Sequence, residues 1–285
     1  MSFREAAVGV GGGRPSLVGV GATAVFAGLS ALAAVAGLWK VLAVSWAAFL
    51  AMSLAAVPGA RGVASPTRLV WGYGLAAGAM VTSAALFLVP QAIGYTPVVG
   101  GGGVAVGLLA GYAAHTVGHR LVHVDTPFDA TAAQISLHAL AAGAIIGLTY
   151  AALPGLSLVL GLAIVSHKGP VGYAAARRLR DAGKPVSVLL VPAAGVGLTA
   201  LPAALAPLPA APAFSAALFG FAAGVFLHVA MDFLPRCEAG SEVAQLVGDT
   251  ETADVHAALD RLRLHAVGST ALGAGAVLLA RALLA

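Results

Sequence analysis

The stretch Ala213-Phe-Ser-Ala-Ala-Leu-Phe-Gly-Phe-Ala-Ala-Gly-Val-Phe-Leu-His-Val-Ala-Met-Asp-Phe-Leu-Pro235 decides the class of this chain. Within it only His228 and Asp232 can ionise. At a rise of about 1.5 Å per residue, roughly 20 apolar residues cross a hydrocarbon core ~30 Å thick. The run is continuous and rich in Ala, Phe and Gly, without the alternation of a barrel strand. It reads as a transmembrane helix that carries two polar groups.

The same reading, carried outward, gives nine candidate spans: 16–38, 41–60, 69–93, 98–118, 132–153, 156–176, 186–207, 213–235 and 264–284. Residues 16–38 form a run longer than the ~7–15-residue core of a signal peptide and so read as a span, although Ala31-Leu32-Ala33 has the small-residue look of a cleavage site. Over 285 residues, 60% are hydrophobic and 9% charged, against about 25% charged in a soluble domain. Mean hydropathy is +0.95. The fold class expected is all-α: a polytopic helix bundle in the cell membrane, with the lipid bilayer as its surroundings.

Basic residues set the orientation. With the N-terminus cytoplasmic, the inner segments hold Arg4, Arg14, Arg61, Arg68, Arg120, Arg177, Arg178, Arg180, Lys184, Arg236, Arg261 and Arg263, whereas the outer ones hold only Lys40 and Arg281. That asymmetry follows the positive-inside rule and supports nine spans. Because these residues are spread over helix ends, the sequence pI of about 9.6 does not indicate nucleic acid. The single cysteine, Cys237, excludes an intramolecular disulfide and a cysteine-built zinc site. The one long polar segment, 236–263, reads as a cytoplasmic connector whose part from Thr252 to Leu264 has the pattern of a short amphipathic helix.

Five polar residues stand inside the spans: His138, His167, Lys168, His228 and Asp232. Ionisable groups at such depth are costly and mark functional sites. Gly169-Pro170 follows Lys168, and a proline there frees carbonyls near residues 165–166 and kinks the helix. His228 and Asp232, four apart, share one helix face. One reading makes them a chelating pair for a divalent ion, with His138 and His167 completing an N/O ligand set. The other makes Lys168–Asp232 a buried ion pair and the histidines packed core residues. His115, His119 and His123 recur every fourth residue at the end of the fourth span, followed by Asp125, a pattern suited to weak metal handling or to a pH-sensitive helix end. His138 and His167 each stand five residues before a glycine, and Leu86-Phe87-Leu88-Val89-Pro90 echoes Asp232-Phe233-Leu234-Pro235. Such echoes suit a transporter built from repeats. No His-Glu-x-x-His, Gly-rich nucleotide loop or Asp-rich pair is present, so an enzyme is not expected.

These helices resemble the ZIP family of zinc and iron permeases. The similarity covers 41–285 as the family's eight helices, with 1–40 an N-terminal tail and additional span. Ser136-Leu-His138-Ala-Leu-Ala-Ala142-Gly143 is similar to the family's His-Asn-x-Pro-Glu-Gly, and His167-Lys168-Gly169-Pro170-Val171-Gly172 to the related motif of the next helix. Gly224 through Pro235 is similar to its Gly-rich run ending Glu-Leu-Ile-Pro. Ala139, Ala142, Lys168 and Val171 replace family ligands, so the family's two-metal centre cannot form in its usual way. The resemblance implies a permease for a divalent metal ion, with zinc the first expectation as cargo, without a resident cofactor. Its single-ion site would use His138, His167, His228 and Asp232, with Lys168 as charge replacement or gate. It also implies a sliding or rocking bundle against a static wall that provides a homodimer contact. The alternative is a transport-inactive or altered-substrate homologue, its site closed by a Lys168–Asp232 pair.

Overall fold

The structure is a computed structural model that describes residues 16–61, 65–121, 130–237, 243, 247 and 253–284. Every element among the described residues is helical, and nine helices are long and apolar enough to cross a membrane. The chain is a multi-pass helical membrane protein. Its spans are α1 (Leu17–Val35), α2 (Trp39–Ala60), α3 (Pro66–Tyr95), α4 (Pro97–Leu121), α5 (Ala130–Ala152), α6 (Leu158–Asp181), α7 (Val186–Ala203), α8 (Pro212–Asp232) and α9 (Ala253–Leu284).

Sequence chemistry at the helix starts explains most boundaries. Ser16, Ser65 and Ser157 cap α1, α3 and α6, each hydroxyl accepting from a backbone N–H of the first turn. Pro66, Pro97 and Pro212 occupy opening positions, where the missing N–H has no helical partner to lose. The ninth span begins earlier than hydropathy suggests. The amphipathic segment expected as a separate short helix is continuous with it from Ala253.

Two spans are interrupted. In α3 the residues Ala84–Leu88 form a π-helical turn just before Pro90. The proline ring would crowd the carbonyl of Leu86, four residues back, and the wider turn relieves that clash. The echo of this segment with Asp232–Pro235 is therefore sequence-deep only: one copy lies inside a span, the other ends one. In α6 the helix stops at Val165, turns through Ser166 and His167, and restarts at Lys168. The interruption falls where Pro170 was expected to place it, with Ser166 four residues before the proline.

The spans pack into two groups. One contains α3, α4, α8 and α9, joined mainly through α4–α8 and α3–α9. The other contains α1, α2, α5, α6 and α7, joined mainly through α5–α7 and α2–α6. Within each group, backbones touch at glycines: a Cβ on Gly224 would overlap the Val104 carbonyl, and one on Gly172 the Met52 carbonyl. Small residues of this kind drive helix association in lipid, where burial of apolar surface supplies no net force. Thr199 adds a hydroxyl donor to the Leu140 carbonyl at 2.7 Å between α7 and α5. Between the groups, α3 meets α6, and α8 meets α5, across a thinner seam.

On the side of the α5–α6 turn, Lys40 donates to the carbonyls of Pro154 and Leu156, both at 2.9 Å. Tyr150 donates to the Ser157 carbonyl at 2.8 Å and accepts from the Gly161 N–H at 3.2 Å. These bonds fix the entry of α6, and so the position of its break. Part of the polar connector also packs: Cys237 and Val243 join Val70, Leu259 and Leu262 in a small apolar cluster.

Candidate metal centre at the seam

His115, His228 and Asp232 converge because α4 and α8 pack in one register. Along α4 the sequence reads Gly103, Gly107, Gly111, His115; along α8 it reads Gly220, Gly224, His228, Asp232. Every fourth residue lies on nearly the same helix face. The glycines let the two backbones meet, and the ladders continue into the polar residues. Gly111 faces the His228 ring directly, since a Cβ there would stand 2.7 Å from Cδ2.

The geometry is that of a three-ligand set. Nδ1 of His115 lies 3.0 Å from Oδ2 of Asp232, and Nε2 of His228 lies 3.2 Å from the same oxygen. The latter contact is off the hydrogen-bonding direction, so the buried Nε2 has no hydrogen-bond partner. One ligand atom from each residue lies within 4.8 Å of the others. A tetrahedral zinc ion with bonds of ~2.0–2.1 Å holds its ligand atoms about 3.3 Å apart. Both contacts to the carboxylate are already near that spacing. Asp232 also ends α8, where the negative end of the helix dipole opposes a carboxylate and favours a cation beside it. The site is open: the side chains of His115 and Asp232 are 53% and 28% exposed.

A second group lies across the seam. His138 of α5 and His167 of α6 stack edge to face, ring centroids 5.7 Å apart. Nδ1 of His167 donates to the Ile164 carbonyl at 2.6 Å, the carbonyl being able only to accept, and this fixes the tautomer with a bare Nε2. Lys168 is 1% exposed and close enough to act electrostatically on both rings. His138 is also within electrostatic reach of His115 and His228. Phe233, the residue after Asp232, packs across the seam, its ring 5.0 Å from that of His167 on α6 and 5.4 Å from that of Tyr73 on α3.

The expected ligand set is thus divided. His228 and Asp232 come together, joined by His115 from the histidine run. His138 and His167 face each other instead, beside Lys168. The anticipated Lys168–Asp232 ion pair is absent: Asp232 pairs with His115 and His228, and the Lys168 ammonium has no hydrogen-bond partner among the described residues. The physical reason is helix pairing: α4 packs on α8 and brings the His115 imidazole to the Asp232 carboxylate beside His228, whereas Lys168 stands on α6 in the other helix group. The imidazole of His119, and all of His123 and Asp125, lie outside what the structure describes. Sequence reasoning left His115 out of the central site, although the matching glycine ladders carried the signal.

No protein-family model and no curated protein matches this sequence.

Proposed function

We propose that the chain is a permease of the ZIP type for a divalent transition-metal ion, with zinc the cargo best suited to its ligands. It would lie in the cell membrane with its N-terminus cytoplasmic, as the twelve-to-two distribution of basic residues favours. One observation carries the reading: two imidazoles and a carboxylate from two spans gather at a seam between helix groups, with ligand atoms within 4.8 Å. Borderline metals such as zinc prefer nitrogen and oxygen ligands of this kind. Three protein ligands leave a position for water, which suits an ion that must leave again.

The chemistry is ligand exchange. A hydrated ion sheds water as Asp232 neutralises half its charge and the His115 and His228 nitrogens replace solvent. His138 and His167 would offer the next nitrogens across the seam, and relative movement of the two groups would bring the sets into register. Lys168 then opposes accumulation of a second cation, a role that follows from its charge.

Zinc uptake into proteoliposomes tests this reading, comparing wild type with Asp232→Asn and His115→Gln. The expected result is saturable uptake in wild type and an about tenfold or greater loss in each variant. Equal, leak-level flux in all three would remove the permease reading.

A further inference from the structure

We propose that the break in α6 binds a small monovalent inorganic anion, of the halide class, held by Lys168 together with the uncapped start of the second helical segment and Nε2 of His138. Nζ of Lys168 and Nε2 of His138 are both buried, and neither has a hydrogen-bond partner among the described residues. A buried charged group without a partner is among the most unfavourable arrangements a protein can hold, and in native structures it signals an unseen companion.

The backbone contributes to the same place. The segment Lys168–Asp181 has 14 residues, and its N-cap, His167, makes no side-chain capping bond. The first N–H groups of a helix have no internal acceptor and favour an anion. Here Pro170 has no N–H and Val171 donates to the His167 carbonyl at 3.1 Å, which leaves those of Lys168 and Gly169. Lys168 is the first residue of that segment, and helical side chains lean back toward the N-terminus. Its side chain therefore starts out toward the end where these donors gather, and its ammonium is buried. Broken membrane helices use their half-helix N-termini in this way toward anionic groups.

The surrounding groups narrow the ligand. Asp232 is occupied by His115 and His228 and makes no ion pair with Lys168. The bare Nε2 of His167 is an acceptor and can take one of the three Lys168 protons, but it cannot itself hold an anion. The donors are then one ammonium, one imidazole N–H and a helix end. They supply a single formal positive charge, and the carbonyls near residues 165–166 that Pro170 frees can accept from the same ammonium, which leaves it donors for one small anion. A spherical monovalent anion accepts from these donors and needs no acceptor in return. A carboxylate-bearing or phosphate ligand would need a second cation in the seam. The inference does not rest on metal transport: the trio of His115, His228 and Asp232 stands on α4 and α8, and the anion is held chiefly by Lys168 of α6, although the permease reading also uses His138.

Chloride NMR line widths provide the test, using the full chain purified in detergent and sodium gluconate as the chloride-free salt. Titration with sodium chloride should give saturable excess broadening in wild type. It should be retained in Lys168→Arg and reduced about tenfold or more in Lys168→Met. It should be unchanged in Asp232→Asn, the variant that abolishes zinc uptake if the permease reading holds; loss of zinc uptake with intact chloride binding separates the two ideas. Broadening that does not saturate, that is equal in wild type and Lys168→Met, or that disappears in Asp232→Asn overturns the proposal. Should Lys168→Met fail to fold, crystals of the wild type grown in sodium bromide decide the matter. An anomalous peak in contact with Nζ of Lys168 supports the site, and peaks elsewhere or none refute it.

Discussion

Gly111 of α4 lies flat against the imidazole of His228 on α8, with room for a hydrogen but not for a methyl group. The glycine thereby does two things at once: it lets the helices close, and it sets the depth at which His228 meets Asp232. A side chain at 111 must push either the ring or the helix away.

Gly111→Ala should therefore weaken zinc binding about tenfold, by displacing His228 from the shared carboxylate oxygen. Gly101→Ala on the same helix has open space around its new methyl and should leave affinity unchanged. Isothermal titration of the two purified variants with zinc makes the comparison. Equal affinities would mean that His228 is not held by this contact.

Phe233 follows Asp232 in the chain and packs on the ring of His167, so under the permease reading it is the candidate barrier between the trio and the histidine pair. Phe233→Ala should raise the initial rate of zinc uptake about threefold by removing this barrier, if passage between the sets limits flux. Because the ring also covers His167, a thermal melt should accompany the flux measurement. A folded variant with unchanged or slower uptake would show that Phe233 is packing and not a barrier.

Lys40 holds two carbonyls at the α5–α6 turn with charge-assisted hydrogen bonds. The site is partly exposed, so Lys40→Met should cost about 1 kcal/mol. A Tm lowered by about 2–4 °C in detergent would register that loss. An unchanged Tm would mean that water replaces the ammonium without penalty.

Cys237 lies in the apolar cluster beside α9, and burial pushes its thiol pKa above the ordinary value, with Arg263 pulling weakly the other way. The thiolate is the reacting form, so labelling by a maleimide should be slow at neutral pH and accelerate as pH rises beyond 9. Removing the opposing cation in Arg263→Ala should raise the pKa further and slow labelling at any fixed pH. Rapid labelling near pH 7 would contradict the packed placement of this residue.

The spans could be read from hydropathy because lipid imposes length and apolarity on each helix separately. Residues 41–60 and 213–235 accordingly fall close to α2 and α8. The break at Ser166–His167 was legible too, since Pro170 acts only on its own preceding turn. Partner choice between distant helices was not. His115 and Asp232 are assigned to separate clusters by spacing along the chain, and only the pairing of α4 with α8 brings them to 3.0 Å. The π turn at Ala84–Leu88 was equally hidden, because a proline can be relieved by a kink, a break or a wider turn, and neighbouring helices select among these. Sequence pairs Lys168 with Asp232 as the one carboxylate inside a span, whereas the packing of α4 on α8 decides which groups that carboxylate meets.

The glycine ladders of α4 and α8 have one more effect. His115, His228 and Asp232 ride on two helices whose backbones interlock, so displacement of one helix group past the other leaves the spacing of these three residues intact. What such a displacement alters is their outlook, toward water or toward the imidazoles of α5 and α6. An ion seated there would change surroundings without having its cradle taken apart.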